Sequence, residues 1–144
     1  MRDLGGILSL EMTLVLDTSV LVALEKGDSA VDSAITQLSK FHSGRPCISS
    51  FVFSEFFIGG FGQSIPSQVK MITALKKYIF LNTTLSSSIL LANIERTLAK
   101  HGRMIPLFDI VTASIAMDND MTLVTLDNHF KNIPGLDVIC ISSQ

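Results

Sequence analysis

Short apolar runs alternate with longer helical patterns along this chain, and this alternation constrains the fold more than any other feature of the sequence. Runs typical of buried strands occupy residues 14–16, 46–49, 121–124 and 136–141. Between them, apolar residues recur at the spacing of one helix face. Strands that alternate with helices in this way form mostly parallel sheets with right-handed crossovers. The sequence therefore predicts an α/β fold with helices on both faces of a parallel sheet.

Capping and terminating residues mark the ends of the predicted helices. Asp28 or Ser29 is placed to cap one helix, and Gly44 is placed to end it. In the same way, another predicted helix begins after Ser49 and ends at the pair Gly59-Gly60. The predicted helices occupy 20–24, 28–41, 51–58, a segment after Pro66 with apolar residues at 69, 72, 75 and 79, then 86–100, 108–117 and a short turn at 127–132.

Length and composition fit one globular domain. The chain has 144 residues, of which 47% are hydrophobic, and its 11 basic and 13 acidic residues leave a net charge of −2. This charge produces no broad positive field that would indicate a nucleic-acid or membrane partner. No apolar run approaches the roughly 18 residues of a spanning helix, so we expect no membrane association. The mean hydropathy of +0.46 places the excess apolar surface in a core or a subunit interface.

The two cysteines and the N-terminal segment bear on location and domain limits. Cys47 and Cys140 each lie in a short apolar stretch without CxxC spacing, which predicts buried thiols in a cytoplasmic protein. Residues 1–11 are too short and too weakly basic for a secretory signal. We interpret them as an N-terminal extension, with one domain over residues 12–144.

Four carboxylates stand where an α/β fold would bring them to one place. Asp17 and Asp127 each follow a predicted strand, and parallel strands end at the same edge of a sheet, where ligands bind. Asp109 lies in the first turn of an apolar helix. Glu55 lies within a helix that is otherwise almost entirely apolar.

Two interpretations of these carboxylates are open. An Asp at a helix start is ordinarily an N-cap that also favours the helix dipole, which could explain Asp17, Asp109 and Asp127 taken singly. Glu55 resists this reading, because burying an unpaired carboxylate costs several kcal/mol and no Lys or Arg lies within four residues of it. A divalent cation would explain all four, since Mg²⁺ and Mn²⁺ prefer hard oxygen ligands. Without metal, the cluster should raise at least one carboxyl pKa.

Several polar and basic residues are weaker candidates. The hydroxyls of Ser19 and Thr125 could orient a carboxylate or a metal-bound water, or could simply satisfy turn backbone groups. Three basic residues near the end of one predicted helix could contact an RNA backbone or complement the helix C-terminus: Arg96, Lys100 and Arg103. The three histidines form no paired spacing, which argues against zinc.

Four motifs in order carry a resemblance to a known family. They are Leu-Asp-Thr-Ser-Val-Leu around Asp17, Ser-Glu-Phe-Phe-Ile-Gly around Glu55, Asp-Ile-Val-Thr-Ala-Ser-Ile-Ala from Asp109, and Thr-Leu-Asp-Asn-His-Phe around Asp127. From Met12 to Ile141, the chain resembles the PIN domain, specifically the small VapC-like toxins of prokaryotic toxin–antitoxin pairs. It departs from that pattern in residues 1–11 and at 118–120, where relatives often place a glycine-containing turn.

The resemblance implies a fold, an activity and partners. The implied fold is a three-layer α/β/α arrangement with a parallel sheet of about five strands. The implied activity is an endoribonuclease that uses one or two Mg²⁺ or Mn²⁺ ions. Asp17, Glu55, Asp109 and Asp127 match the acidic, metal-binding positions, and Ser19 and Thr125 match the accompanying polar ones. RNA as substrate, a homodimer and an inhibitory antitoxin protein are also implied.

Other functions are compatible with the same fold. A PIN domain could be a non-toxin RNA-processing nuclease or a catalytically silent module that binds RNA or protein. A phosphoacceptor signalling domain also places an Asp at a strand end, but it would carry an acidic pair at the first strand and a lysine after the last. This sequence supplies neither.

Overall fold

A parallel sheet forms the centre of the computed structural model, which describes residues 13–42, 44–60 and 63–142. Within these residues the sheet has five strands in the order β3-β2-β1-β4-β5. The strands are β1 (Leu14–Leu16), β2 (Cys47–Ser49), β3 (Ile79–Leu81), β4 (Thr122–Thr125) and β5 (Val138–Cys140). All neighbouring pairs are parallel, as expected. The predicted extension over residues 1–11 lies outside the described residues.

Helices cover both faces of the sheet. They are α1 (Thr18–Glu25), α2 (Ser29–Ser39), α3 (Ser50–Gly59), α4 (Ile65–Leu75), α5 (Leu85–Lys100) and α6 (Leu107–Asp118), followed by a 3₁₀ helix (Asn128–Asn132). The alternation of side chains along β1 divides the core: Leu14 and Leu16 pack with α1 to α4, whereas Val15 packs with α5 and α6. The expected three-layer α/β/α architecture is confirmed.

The strand order places a topological switch beside β1. From β1 the chain moves outward to β2 and β3, then returns to the other side of β1 to form β4 and β5. The backbone N–H of Asp17 donates to the Val124 carbonyl at 3.0 Å, which joins the ends of β1 and β4. In open α/β sheets, ligands bind at such a switch, beyond the carboxyl ends of the strands.

The helix predicted after Pro66 ends earlier than expected, and its extension to Ile79 is wrong. Helix α4 stops at Leu75, and Ile79 begins β3. The Ile79 N–H donates to the Pro46 carbonyl at 3.1 Å, and Ile79 pairs with Cys47. The apolar residue at 79 fits the helical spacing by coincidence, while the exposed edge of β2 offers hydrogen bonds that favour a strand there.

Two other expectations concern individual positions. Asp28 is a true N-cap: its Oδ1 accepts hydrogen bonds from the N–H groups of Ala30 and Val31 at 3.0 and 3.1 Å. Cys47 is buried as expected, but Cys140 is only partly buried, because β5 is an edge strand. Neither thiol forms a disulfide. Among the described helices, none has the length and apolar character needed to cross a bilayer.

Candidate active site

The carboxylate of Asp17 lies at the end of β1 and is held by two hydroxyls. Asp17 is only 3% exposed, and it occupies the N-cap position of α1 without forming a capping hydrogen bond. Its Oδ2 atom instead accepts hydrogen bonds from Ser19 Oγ and Thr125 Oγ1, both at 2.8 Å. The N-cap interpretation is therefore wrong for Asp17.

The two hydroxyls also organise the loop that follows β4. Thr125 Oγ1 accepts the Asp127 N–H at 3.0 Å, and Ser19 Oγ accepts the Leu126 N–H at 3.1 Å. Because each hydroxyl donates its single hydrogen to Asp17, the 3.4 Å approach of Ser19 Oγ to Thr125 Oγ1 is a contact and not a further hydrogen bond. The loop that carries Asp127 is thus tied to the carboxylate of Asp17.

All four predicted carboxylates line one cavity of about 450 Å³. They come from four separate parts of the chain: the end of β1, the middle of α3, the first turn of α6, and the residue before the 3₁₀ helix. No described basic side chain forms an ion pair with Glu55, so nothing in that part of the chain neutralises it. The other residues that line the cavity are Thr18, Ser19, Pro106, Leu107 and Phe108.

The carboxylates affect one another electrostatically. Partial burial raises the pKa of Glu55, and the nearby charges of Asp109 and Asp17 raise it further, while the Thr18 hydroxyl opposes them. Burial and the charge of Asp17 likewise raise the pKa of Asp109, with a smaller contribution from Asp127; His129 opposes this rise. The upward shift expected of clustered carboxylates without metal is present at both positions.

Asp127 and Asp109 also fail to behave as simple helix caps. Asp127 precedes the 3₁₀ helix and makes no capping hydrogen bond with its side chain. Helix α6 begins after Pro106 and has no side-chain cap, although Asp109 lies in its first turn. Both carboxylates face the cavity, so the capping interpretation accounts for neither.

His129 is a site residue that the sequence analysis missed. Its buried Nε2 lies 2.9 Å from Asp109 Oδ2, where it opposes the rise in the pKa of Asp109 that burial and Asp17 cause. The imidazole ring packs on Phe130, with ring centroids 4.7 Å apart. The sequence did contain a signal, because His129 lies two residues after Asp127 in the Asp-Asn-His-Phe motif. It was overlooked because the histidines were considered only as zinc ligands.

Comparison with known proteins identifies the family to which this cavity and fold belong. Residues 14–136 match the PIN domain. This chain belongs to the PIN domain family. It is 30% identical over 139 residues to Ribonuclease VapC1 of Rickettsia felis, a match that spans 92% of this chain and 99% of that protein.

Solved structures share the fold of this PIN domain. VapBC2 from Rickettsia felis, bound to a DNA fragment from its promoter, superposes with a TM-score of 0.79 at 23% identity, over 91% of this chain and 100% of the other. A toxin–antitoxin complex from Klebsiella pneumoniae superposes with a TM-score of 0.73 at 17% identity, over 92% and 100%. At these identities the likeness establishes the fold, and the expected PIN-like architecture is confirmed.

The donor chemistry of the PIN domain cavity fits a hard divalent cation. The four predicted ligands supply only oxygen atoms, and burial together with repulsion among them raises the pKa of Glu55 and of Asp109. In the described part of the chain, no three acidic, His or Cys side chains lie close enough together to hold one metal ion. Mg²⁺ usually binds through one or two carboxylates and keeps several waters, for which the cavity has room. The residues therefore suit a hydrated Mg²⁺ or Mn²⁺ better than a fully protein-coordinated ion.

The three basic residues predicted to contact RNA lie outside the cavity. Arg96, Lys100 and Arg103 are exposed at the end of α5 and in the segment that follows it. Arg103 Nη1 donates to Asn132 Oδ1 at 3.3 Å, which joins this segment to the 3₁₀ helix. A short connection leads from Arg103 to the first turn of α6, where Asp109 lies. Contact between these three basic residues and RNA that leaves the cavity stays a prediction.

Proposed function

We propose that this PIN domain is an endoribonuclease that requires Mg²⁺ or Mn²⁺ and acts as the toxin of a toxin–antitoxin pair. The observation that carries the proposal is the convergence of four carboxylates, from four parts of the chain, on one cavity in which Glu55 has no cationic partner. The relative named Ribonuclease VapC1 supports RNA as the substrate. The VapBC and toxin–antitoxin assemblies among the structural neighbours support an antitoxin partner.

The chain's own residues have distinct roles in this proposal. Asp17, Glu55 and Asp109 would hold one or two ions, with Asp127 acting directly or through water. A bound dication of this kind supplies an activated water and stabilises charge on the phosphate during hydrolysis of the phosphodiester bond. Ser19 and Thr125 act as positioning residues, because they fix one oxygen of Asp17 and leave the other for the cavity.

The acidic lining also links substrate binding to metal. With four carboxylates around it, the cavity repels an RNA phosphate until positive charge is added. The net charge of −2 is therefore compatible with an RNA substrate. Arg96, Lys100 and Arg103 would contact the RNA backbone outside the cavity, where their charge is exposed.

The proposed protein partners are an antitoxin and a second copy of the chain. Apolar side chains at 65, 69 and 72 project from one side of α4, and each is more than a third exposed. A contiguous exposed apolar surface of this kind is typical of protein interfaces. We infer that part of this surface is covered in the homodimer or in the antitoxin complex.

Substitution of Asp17 tests the nuclease proposal. Asn has the same shape, and its carbonyl oxygen can accept the bonds from Ser19 and Thr125, but the NH2 group in place of the second oxygen has no lone pair for a cation and carries no negative charge. We expect Asp17→Asn to lose at least about a hundredfold in cleavage of single-stranded RNA with Mg²⁺ or Mn²⁺, while its thermal unfolding stays close to that of wild type. Asp32→Asn, on the exposed side of α2, is the matched control and should cleave normally.

Two outcomes would contradict the proposal. Full cleavage by pure Asp17→Asn protein would remove the role of this carboxylate, and binding of RNA without metal-stimulated cleavage would favour a silent binding module. Expression in a bacterial host separates the toxin from an RNA-processing nuclease: the toxin should arrest growth in the wild-type form and not as Asp17→Asn. An antitoxin encoded beside the gene should reverse the arrest.

A further inference from the structure

The segment before α6 and the first turn of that helix present exposed apolar side chains near the carboxylates. Ile105 is buried and anchors this segment in the core, whereas Met104 and Leu107 are 84% and 57% exposed. Phe108 is 44% exposed and directly precedes Asp109. Leu107 and Phe108 both line the cavity that contains the four carboxylates. One wall of this acidic cavity is therefore apolar and aromatic.

The ring of Phe108 is supported in position by a second aromatic ring. Its centroid lies 5.3 Å from that of Phe51, and the ring planes are inclined by 50°. Phe51 belongs to α3, the helix that carries Glu55. Phe108, on the helix that supplies Asp109, thus packs against the helix that supplies Glu55, and nearly half of it still faces solvent. Leaving a large apolar ring exposed forgoes hydrophobic stabilisation, and no packing within the described chain explains it.

We propose that Phe108 is a stacking platform for an unpaired base of the RNA whose phosphate occupies the carboxylate cavity. This inference rests on the nuclease function proposed above. Every nucleotide carries its base and its phosphate on one sugar, so a cavity that takes the phosphate has a neighbouring base within reach. Unstacked RNA bases bind to aromatic side chains through their faces, and such stacking tolerates any base.

In this proposal, Phe108 makes the protein selective for the structure of the RNA and not for its base sequence. In a duplex, bases are already stacked on their neighbours and are unavailable to the ring. A phenyl ring offers no hydrogen-bonding groups with which to distinguish one base from another. We therefore infer that the PIN domain selects single-stranded or looped RNA through Phe108, and that base preference comes from other contacts.

Abasic scanning of a short single-stranded RNA tests this inference. Once the cleaved bond is mapped, each nucleotide near it is replaced in turn by an abasic one, and KM and kcat are measured. For the wild-type protein we expect one position next to the cleaved bond at which base removal raises KM about tenfold. Phe108→Ala should raise KM by a similar factor on the intact RNA, and base removal at that position should then have no further effect.

Three further variants keep the result interpretable. Phe108→Tyr retains an aromatic face and should restore the wild-type response, whereas Phe108→Leu keeps apolar volume and should not. Phe80→Ala is the matched control, since Phe80 is also 44% exposed and packs on another ring, Phe53, at 5.1 Å, but does not line the cavity. We expect Phe80→Ala to respond to the abasic positions as wild type does.

The possible results separate this inference from the nuclease function. In one result, the wild type cleaves RNA and Phe108→Ala changes its response to none of the abasic positions. That result would overturn the stacking inference and leave the proposed nuclease function standing. Equal effects of Phe108→Ala and Phe80→Ala, or normal abasic coupling in Phe108→Leu, would overturn it as well. If Phe108→Ala weakens only antitoxin binding, the ring serves the protein partner and the inference is wrong. Absence of cleavage by the wild type with every divalent metal would overturn both proposals.

Discussion

The carboxylate of Asp17 occupies the N-cap position of α1 and yet leaves that helix uncapped. Asp28 stands in the same relation to α2 and does cap it, with two hydrogen bonds from its first turn. A side-chain cap contributes about 0.5–2 kcal/mol, which Asp17 forgoes. It instead receives two hydroxyl bonds, one of them from Thr125, more than a hundred positions away. The choice between cap and site is therefore made by a distant partner together with the neighbouring Ser19, and not by local sequence alone.

Glu55 should destabilise the metal-free protein at neutral pH. The pKa of Glu55 in the folded state lies above the ordinary 4.5. Between these two pKa values, the folded state keeps a proton that the unfolded state has lost. Stability therefore falls as pH rises from about 4.5 through the folded pKa, and the full penalty applies above it. We expect Glu55→Gln to be more stable than wild type at neutral pH in EDTA, by less than about 1 kcal/mol because solvent screens this partly exposed group. Urea unfolding across this pH range measures the difference.

The gain should disappear below about pH 4.5, where the wild-type carboxyl is protonated in both states. Glu95→Gln, exposed on α5, is the control and should show no comparable gain. Adding Mg²⁺ should reverse the order, because the ionised carboxylate of Glu55 is a much stronger ligand than the neutral Gln amide. A Glu55→Gln variant that is less stable than wild type in EDTA at neutral pH would show that another interaction of Glu55 outweighs this repulsion.

At the scale of elements, α3 and α6 together decide the shape of the site. Ser49 lies at the start of α3, where its Oγ accepts the Val52 N–H at 3.1 Å. The same oxygen lies 3.2 Å from Thr112 Oγ1 of α6, and both residues are buried. One hydroxyl therefore both caps the helix of Glu55 and fixes it to the helix of Asp109.

Removal of this hydroxyl should disturb stability and site geometry together. We expect Ser49→Ala to lose about 1–3 kcal/mol in urea unfolding, since α3 loses its cap and the buried Thr112 hydroxyl loses its partner. Metal affinity, measured by calorimetry, should fall about tenfold because α3 and α6 are no longer held in register.

A second helix cap provides the comparison. Thr84 caps α5 in a reciprocal capping box with Ser87, and it also donates to Asp118 at the far end of α6 from Asp109. Thr84→Ala should lose about 1 kcal/mol of stability and keep its metal affinity. Equal loss of metal affinity in both variants would mean that general destabilisation, and not the junction of α3 and α6, explains the effect.

For the whole molecule, metal binding should stabilise the fold. A ligand that binds only the folded state adds about 2.7 kcal/mol at a hundred times its Kd. For a domain of this size we expect saturating Mg²⁺ or Mn²⁺ to raise the Tm of the wild type by several degrees. Scanning calorimetry of Asp17→Asn should show little or no rise, and Asp32→Asn should respond as wild type does. An equal rise in the Asp17 variant would place the bound ion away from this cavity.

Much of the fold follows from local pattern, because periodic burial is written into neighbouring residues. The strands β1, β2, β4 and β5 and the helices between them lie close to where apolar spacing predicts them. The edge strand β3 is the exception. Its first residue, Ile79, continues a helical spacing, and only the unpaired edge of β2 selects the strand. Such a strand depends on a neighbour that local sequence does not reveal.

By itself, the sequence determined the alternation of strands and helices and the four carboxylates that such a fold delivers to one edge. Tertiary structure alone decided which remote groups surround them: the hydroxyl of Thr125 on Asp17, the imidazole of His129 on Asp109, and the ring of Phe51 behind Phe108. The physical reason is distance along the chain. Periodicity records the burial of each residue, whereas contacts between remote segments depend on strand order, register and helix packing, which appear only when the chain has folded.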